Sequence, residues 1–288
     1  MGKIQDNIEF YAFISSVKLF RCLPNKITIK MLKAIFYIAG YVCGIRKKVV
    51  TSQLRRCFPE KTKKEIANIT KNIYSELATT AAEVFVLDEK YIKQRTEIIG
   101  YENVTQALAL KRGLIIISAH FANWELGAKI LAEKSPPIYG IAKQQRNKRF
   151  NEYIKKTRQA AGVETFGMRN GIKPLISALK KNHIVAMLID QYAQRQGTEV
   201  EFLGHKTKAY TSHAQIILKY KTPIIIAFDM RDKAGNHQFV FDAPIHFDTL
   251  EYNEQNIIEV TYKINAHIEE QIRKHPHLWF WVHKKWRK

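Results

Sequence analysis

The chain reads as an α/β protein with a largely parallel central sheet flanked by helices and an N-terminal membrane-associating helical segment. Three observations predict this. From residue 113 onward, short β-branched runs alternate with helical stretches, the pattern of strand–helix–strand units that build a parallel sheet. Two apolar, aromatic segments, 8–20 and 31–44, come before that region and are flanked by lysines and arginines. Between them and the sheet, Pro59 and the capping box Thr62-Lys-Lys-Glu65 open a further helix.

The N-terminal segments are each shorter than the ~20 apolar residues a membrane span requires. Lys18 and Lys33 lie within them, and Lys26, Lys30, Arg46, Lys47 and Lys48 lie around them. Two readings fit equally: helices at a membrane interface, their basic groups meeting anionic headgroups, or a buried hydrophobic helix pair. Pro24 and Asn25 form the turn between the segments. The composition divides near residue 50, giving a helical unit over 1–50 and the main domain over 51–288.

A helix is expected within 59–88, with Ile66, Ile69, Ile73 and Leu77 at three- and four-residue spacing. Strands are expected at 113–118, 138–141, 184–189 and 223–228. Helices are expected at 124–133, 147–161, 171–181 and 209–220. Phe239-Val240-Phe241 adds an edge strand. A last helix spans about 253–274, with Ile257, Ile258, Tyr262, Ile264 and Ile268 on its apolar side. There is no internal repeat or low-complexity tract.

The 288 residues carry 47 basic against 26 acidic side chains, a formal net charge of +21. A field of this sign attracts nucleic acid, an anionic membrane face or an acidic carrier protein. Cys22, Cys43 and Cys57 are odd in number and show no Cys-x-x-Cys spacing, which argues against a disulfide framework or structural zinc. No signal peptide is evident at the N-terminus.

Residues 113–127, Gly-Leu-Ile-Ile-Ile-Ser-Ala-His-Phe-Ala-Asn-Trp-Glu-Leu-Gly, hold the chemistry. His120 falls where a β-branched run ends, and ligands of such sheets sit outside the carboxyl ends of the strands. Asn123 suits a helix N-cap. Glu125 then lies in the first turn, where the helix dipole favours its ionised form. From there it can reach back to one ring nitrogen and leave the other free to take a proton. This pairing requires that His120 precede the helix. The bland alternative is a satisfied core histidine beside a surface glutamate.

His120-Phe-Ala-Asn-Trp-Glu125 resembles the signature of the lipid A biosynthesis acyltransferases, the late lauroyl/myristoyl transferases of Gram-negative bacteria, within the lysophospholipid acyltransferase superfamily. Further blocks follow in order. Arg56-Cys-Phe-Pro-Glu60 resembles the family's Phe-Pro-Glu stretch. Asn147, Arg158 and Gly162 match the second block, where Lys143 stands for the usual arginine. Asp190-Gln191, Gly197, Val200, Phe202, Gly204 and Thr211 match the third. Leu278-Trp-Phe-Trp-Val-His283, then Lys284, Lys285, Trp286 and Arg287, is similar to the aromatic–basic ending.

The resemblance implies an acyl-carrier-protein-dependent O-acyltransferase without a cofactor. In it, His120, oriented by Glu125, takes the proton of a lipid A precursor hydroxyl that attacks the thioester of acylated acyl carrier protein. Arg158 is the candidate donor to the oxyanion. Lys143, Asn147, Asp190 and Gln191 are candidate substrate-binding residues. Asp190 is read as a structural or substrate-positioning acid, because Glu125 already serves His120. The absence of a Gly-x-Ser-x-Gly elbow fits direct transfer. The implied location is the cytoplasmic face of the anionic inner membrane.

Three alternatives stand beside this. One is a superfamily member acylating another glycolipid or a lysophospholipid from acyl-CoA. Another is a basic nucleic-acid-binding protein, although no nucleic-acid motif supports it. A metal site at His275, His277 and His283 lacks a cysteine or carboxylate ligand set. The aromatic–basic tail is instead expected at a membrane interface.

Overall fold

The computed structural model describes residues 2–135, 137–168, 171–193 and 197–287. Its strands are β1 (Thr96–Ile99), β2 (Leu114–Ser118), β3 (Ile138–Ala142), β4 (Val163–Gly167), β5 (Ile184–Leu188), β6 (Thr198–Phe202), β7 (His205–Ala209), β8 (Ile224–Arg231) and β9 (His237–Phe241). Its α-helices are α1 (Gly2–Arg21), α2 (Asn25–Phe36), α3 (Lys47–Cys57), α4 (Lys63–Phe85), α5 (Glu89–Lys93), α6 (Tyr101–Ala109), α7 (Trp124–Lys134), α8 (Lys148–Ala160), α9 (Ile172–Lys180), α10 (Ser212–Tyr220) and α11 (Glu254–Lys274). A π-helical turn, Tyr37–Val42, extends α2.

Seven strands form one sheet in the order β1-β9-β8-β2-β5-β3-β4. Every pairing is parallel except β8 with β9. That exception has a local cause. Only residues 232–236 connect the two strands, too few for a crossover, so they pair as a hairpin. Asp232 closes the turn by accepting the Asn236 N–H on its side chain at 2.8 Å. The segment expected at the sheet edge is therefore interior: β9 lies between β8 and β1, and β1 takes the edge.

The expected parallel α/β sheet is present, and β2 alternates between its two faces. Ile115 and Ile117 enter a core with α3, α4, α9, α10 and α11 residues. Leu114 and Ile116 enter a second core with α6 and α7 residues. This two-sided burial explains why β2 reads as an uninterrupted apolar run. The antiparallel β6–β7 ribbon stands apart from the sheet. Its Leu203-Gly204 turn has φ 51° and 79°, the left-handed pair a two-residue type I′ hairpin requires.

Helix α4 opens with the reciprocal Thr62–Glu65 capping box. In α11 the buried stripe is Val260, Ile264, Ile268 and Ile272. Tyr262, expected on the apolar side, is exposed, and its hydroxyl accepts the Glu201 N–H at 3.2 Å.

Residue 50 lies inside α3, where Val50 and Leu54 are fully buried in the main core. At the other end of the chain, Trp279, Trp281 and Trp286 are buried. The tail is thus core packing rather than a membrane-facing surface. Among the described residues no single helix is long and apolar enough to cross a membrane, although Asn25–Val42 with Lys47–Cys57 passes that test as a pair bent by 77°.

Candidate active site

Strand register builds the site. Ser118 of β2 is opposite Leu188 of β5, so His120 and Asp190 each lie two residues past paired strand ends. Their side chains meet there. Asp190 Oδ1 is 2.8 Å from His120 Nδ1, and Asp190 Oδ2 accepts the His120 backbone N–H at 3.1 Å. The Trp279 indole N–H donates to the same Oδ2 at 2.7 Å. Burial works to raise the Asp190 pKa, but the His120 charge and hydrogen bond, the Trp279 N–H and the Lys285 charge overcome it and hold the carboxyl at about 2. An ionised carboxylate only accepts, so Nδ1 is an N–H of His120, and in the neutral ring the lone pair lies on Nε2. The Gln191 side-chain nitrogen is 3.2 Å from that Nε2.

Helix α7 begins at Trp124, with Asn123 as N-cap accepting the Leu126 N–H at 3.0 Å. His120 therefore precedes the helix, as the sequence requires. Glu125, however, does not reach it. Both Glu125 oxygens are taken by Arg158 from the last turn of α8, at 2.9 Å from Nε and 2.5 Å from Nη2. The carboxylate beside the ring is Asp190, not Glu125. The reason is directional: a first-turn side chain projects from the helix surface toward α8, while the end of β5 lies directly beside the end of β2. The pair leaves Arg158 firmly cationic, with Glu125 outweighing the cost of burial.

The remaining expected residues separate. Asn147 caps α8 by accepting from Arg149 and Phe150, and donates at 2.8 Å to the Asp6 carbonyl of α1. It joins two helices rather than the His120 pair. Lys143 is exposed after β3 and makes no hydrogen bond or ion pair among the described residues.

Sequence reasoning missed the support behind the dyad. The tail holds three consecutive residues of the Asp190 loop: Trp279 on Asp190, Lys285 Nζ on the Gln191 carbonyl at 3.4 Å, and His283 Nε2 accepting the Tyr192 N–H at 3.3 Å. Burial lowers His283 to about 4, which leaves it the neutral acceptor this contact requires. Burial also lowers Lys285, to about 8, against the pull of Asp190 and Glu269. Phe280 and Trp124 close around the imidazole at ring-centroid distances of 5.9 and 4.9 Å. The one readable signal was that Asp190, like His120, follows a β-branched apolar run.

A sequence model of the bacterial lipid A biosynthesis acyltransferases matches residues 4–288. The chain is thus that of an acyltransferase. The chain belongs to the bacterial lipid A biosynthesis acyltransferase family. It is 22% identical over 266 residues to a lipid A biosynthesis acyltransferase of Haemophilus influenzae, covering 90% of this chain and 81% of that protein. It is 25% identical over 249 residues to the lipid A biosynthesis lauroyltransferase of Escherichia coli, covering 84% and 79%. A phosphatidylinositol mannoside acyltransferase of Mycobacterium tuberculosis is 20% identical over 202 residues, covering 68% and 62%.

Proposed function

We propose that this enzyme moves a fatty acyl chain from the thioester of acylated acyl carrier protein to a hydroxyl of a lipid A precursor at the cytoplasmic face of the inner membrane. His120 is the general base. Its Nε2 takes the hydroxyl proton while the oxygen attacks the thioester carbonyl. The C–O bond forms, the carbonyl π pair moves to oxygen, and Arg158 stabilises that oxyanion from its position on Glu125. Collapse breaks the C–S bond, and the departing thiolate takes the proton back from His120. Asp190 fixes the tautomer and balances the imidazolium formed on the way. Gln191 occupies the place at Nε2 that the acceptor hydroxyl takes, and Lys143 is offered to acceptor phosphates.

The observation that carries this reading is the His120 Nδ1–Asp190 contact on a side chain that is 19% exposed, with Gln191 at the opposite ring nitrogen. The location rests on a second one. Ile4, Ile8, Leu19, Ile38, Val42 and Ile45 are each more than half exposed, among basic residues such as Lys26 and Lys30, a composition suited to a bilayer surface.

The test is transfer from radiolabelled lauroyl-acyl carrier protein to a lipid A precursor by wild type and His120→Ala. Transfer by a folded His120→Ala at the wild-type rate sinks the proposal. Lauroyl-CoA offered in the same assay decides the donor. The Mycobacterium tuberculosis relative supports a second reading in which another glycolipid is the acceptor. A phosphatidylinositol mannoside acceptor in parallel separates the two.

A further inference from the structure

Beneath the turn that joins His120 to Glu125 lies a cluster of charges that the proposed chemistry does not use. Asp229 and Arg231 come from β8, His237 from β9, and Glu76 and Glu83 from α4. The side chains of Arg231, Asp229, His237 and Glu83 are 1%, 0%, 2% and 5% exposed. Arg231 bonds Glu76 at 2.6 Å and Glu83 at 2.5 Å. His237 lies between two carboxylates, with Nδ1 2.9 Å from Asp229 and Nε2 3.0 Å from Glu83. Ionised carboxylates only accept, so both ring nitrogens carry hydrogen and His237 is a cation. Burying this many charges costs more than an apolar core of the same volume. The cluster is therefore better explained by what it holds in place than by stability.

It holds Asn123 and Ala122. Asp229 Oδ2 accepts the Asn123 backbone N–H at 2.8 Å, and Glu83 Oε2 accepts the Asn123 side-chain N–H at 2.9 Å. With Oδ1 capping α7, every polar group of that side chain is fixed. Thr80, which receives an Arg231 N–H at 3.1 Å, donates to the Ala122 carbonyl at 3.0 Å. Ala122 has φ 41°, a left-handed conformation that disfavours a residue with a Cβ and persists only where surroundings enforce it.

We infer that Glu83, Asp229, His237 and Arg231 are positioning residues that act through Asn123 to lock the turn between His120 and Glu125 in its transfer-competent shape. This inference rests on His120 being the base. The cluster touches neither substrate nor the imidazole. It sets where His120 leaves β2 and where Glu125 enters α7, and so the spacing between the base and Arg158. Displacements of about an ångström at such a site cost on the order of 100-fold in rate.

The test exchanges donor and acceptor across the Asn123–Glu83 contact. Aspartate caps a helix as well as asparagine does, so Asn123→Asp is silent if capping is the only role of Asn123. On our inference it turns a carboxylate against Glu83, and kcat falls by on the order of 100-fold, with KM for the acyl carrier protein and lipid A precursor within about threefold. Adding Glu83→Gln removes the facing carboxylate but also the Oε2 that accepts from Arg231, so kcat stays below the wild-type rate, whereas a role in capping alone leaves the double variant at that rate. Asn123→Ser, which keeps a cap but shortens the donor's reach toward Glu83, gives an intermediate loss with a near-native melting curve. Wild-type turnover by Asn123→Asp or by the double variant overturns the inference. His120→Ala in the same assay separates this from failure of the base assignment: if it stays active, the underlying reading has failed.

Discussion

Asp190 holds His120 at two points, the ring through Nδ1 at 2.8 Å and the backbone N–H at 3.1 Å. One carboxylate thus sets both the orientation of the imidazole and the position of the chain that carries it. Asp190→Asn keeps the size but puts a neutral amide at the ring, which favours the wrong tautomer. We expect kcat to fall on the order of 10⁴-fold with KM little changed, as in other histidine–carboxylate pairs. Trp279→Phe removes one N–H to the same carboxylate, a loss of about 1.5 kcal/mol or roughly tenfold in kcat. Steady-state kinetics with acyl carrier protein substrate measures both. An Asp190→Asn enzyme at full rate contradicts the dyad.

The bidentate Glu125–Arg158 pair makes a separate prediction. Glu125→Gln and Arg158→Gln each lower kcat by about 10- to 100-fold, and the double variant is no worse than the poorer single one, since each removes the same interaction. Glu125→Gln combined with Asp190→Asn is multiplicative. The opposite pattern, with Glu125 coupled to Asp190 and independent of Arg158, would return Glu125 to the imidazole.

The sequence carried these two pairs unequally. A β-branched run ending on His120, followed by an N-cap and a first-turn acid, marks the strand end and the helix start, because those signals are local. Which carboxylate meets the ring depends on β2 and β5 being sheet neighbours in matched register, a relation between segments seventy residues apart. The Asn123 cluster was hidden for the same reason: its members come from α4, β8 and β9, and each alone reads as an ordinary polar residue. Strand β1 and the β6–β7 ribbon escaped because Thr96–Ile99 is very short and Thr198–Phe202 alternates with charged residues rather than forming an apolar run. The buried tail misled in another way. Aromatic–basic composition suits a membrane interface, yet Trp281 and Lys285 are enclosed, Lys285 lying 4.5 Å over the Phe202 ring.

His237 gives the fold a pH signature. Burial opposes its charge, but the hydrogen bonds and charges of Asp229 and Glu83 raise its pKa to about 9, above the ordinary histidine value of about 6.5. A group raised in the folded state stabilises fully below its unfolded pKa and loses that contribution as pH rises through the folded one. The contribution, on the order of 3 kcal/mol, is therefore present at pH 6 and fades between about 6.5 and 9. Arg231 shares Glu83 and stays charged throughout. Lys285, lowered to about 8, acts in the opposite sense above that pH. The difference between wild type and His237→Gln isolates the histidine. Urea midpoints at pH 6, 8 and 9.5 should converge as pH rises, and a constant gap rules out an imidazolium at this position.

The N-terminal surface makes the last prediction. Ile8 and Ile38 are 64% and 55% exposed, so replacing them with aspartate leaves the core intact. If they enter a bilayer, each contributes about 1.5–3 kcal/mol of apolar burial, and the double variant Ile8→Asp/Ile38→Asp binds anionic vesicles at least roughly 100-fold more weakly. Because α1 also meets α8 through Asn147 and the Phe13–Phe150 ring contact, the helix stays docked on the start of α8 when the membrane contact is lost. Transfer to an acceptor dispersed in detergent should then persist while transfer to the same acceptor in vesicles collapses. Unchanged vesicle sedimentation would assign this face to another partner, and equal losses in detergent and vesicles would mean that the substitutions act through α8 rather than through the membrane.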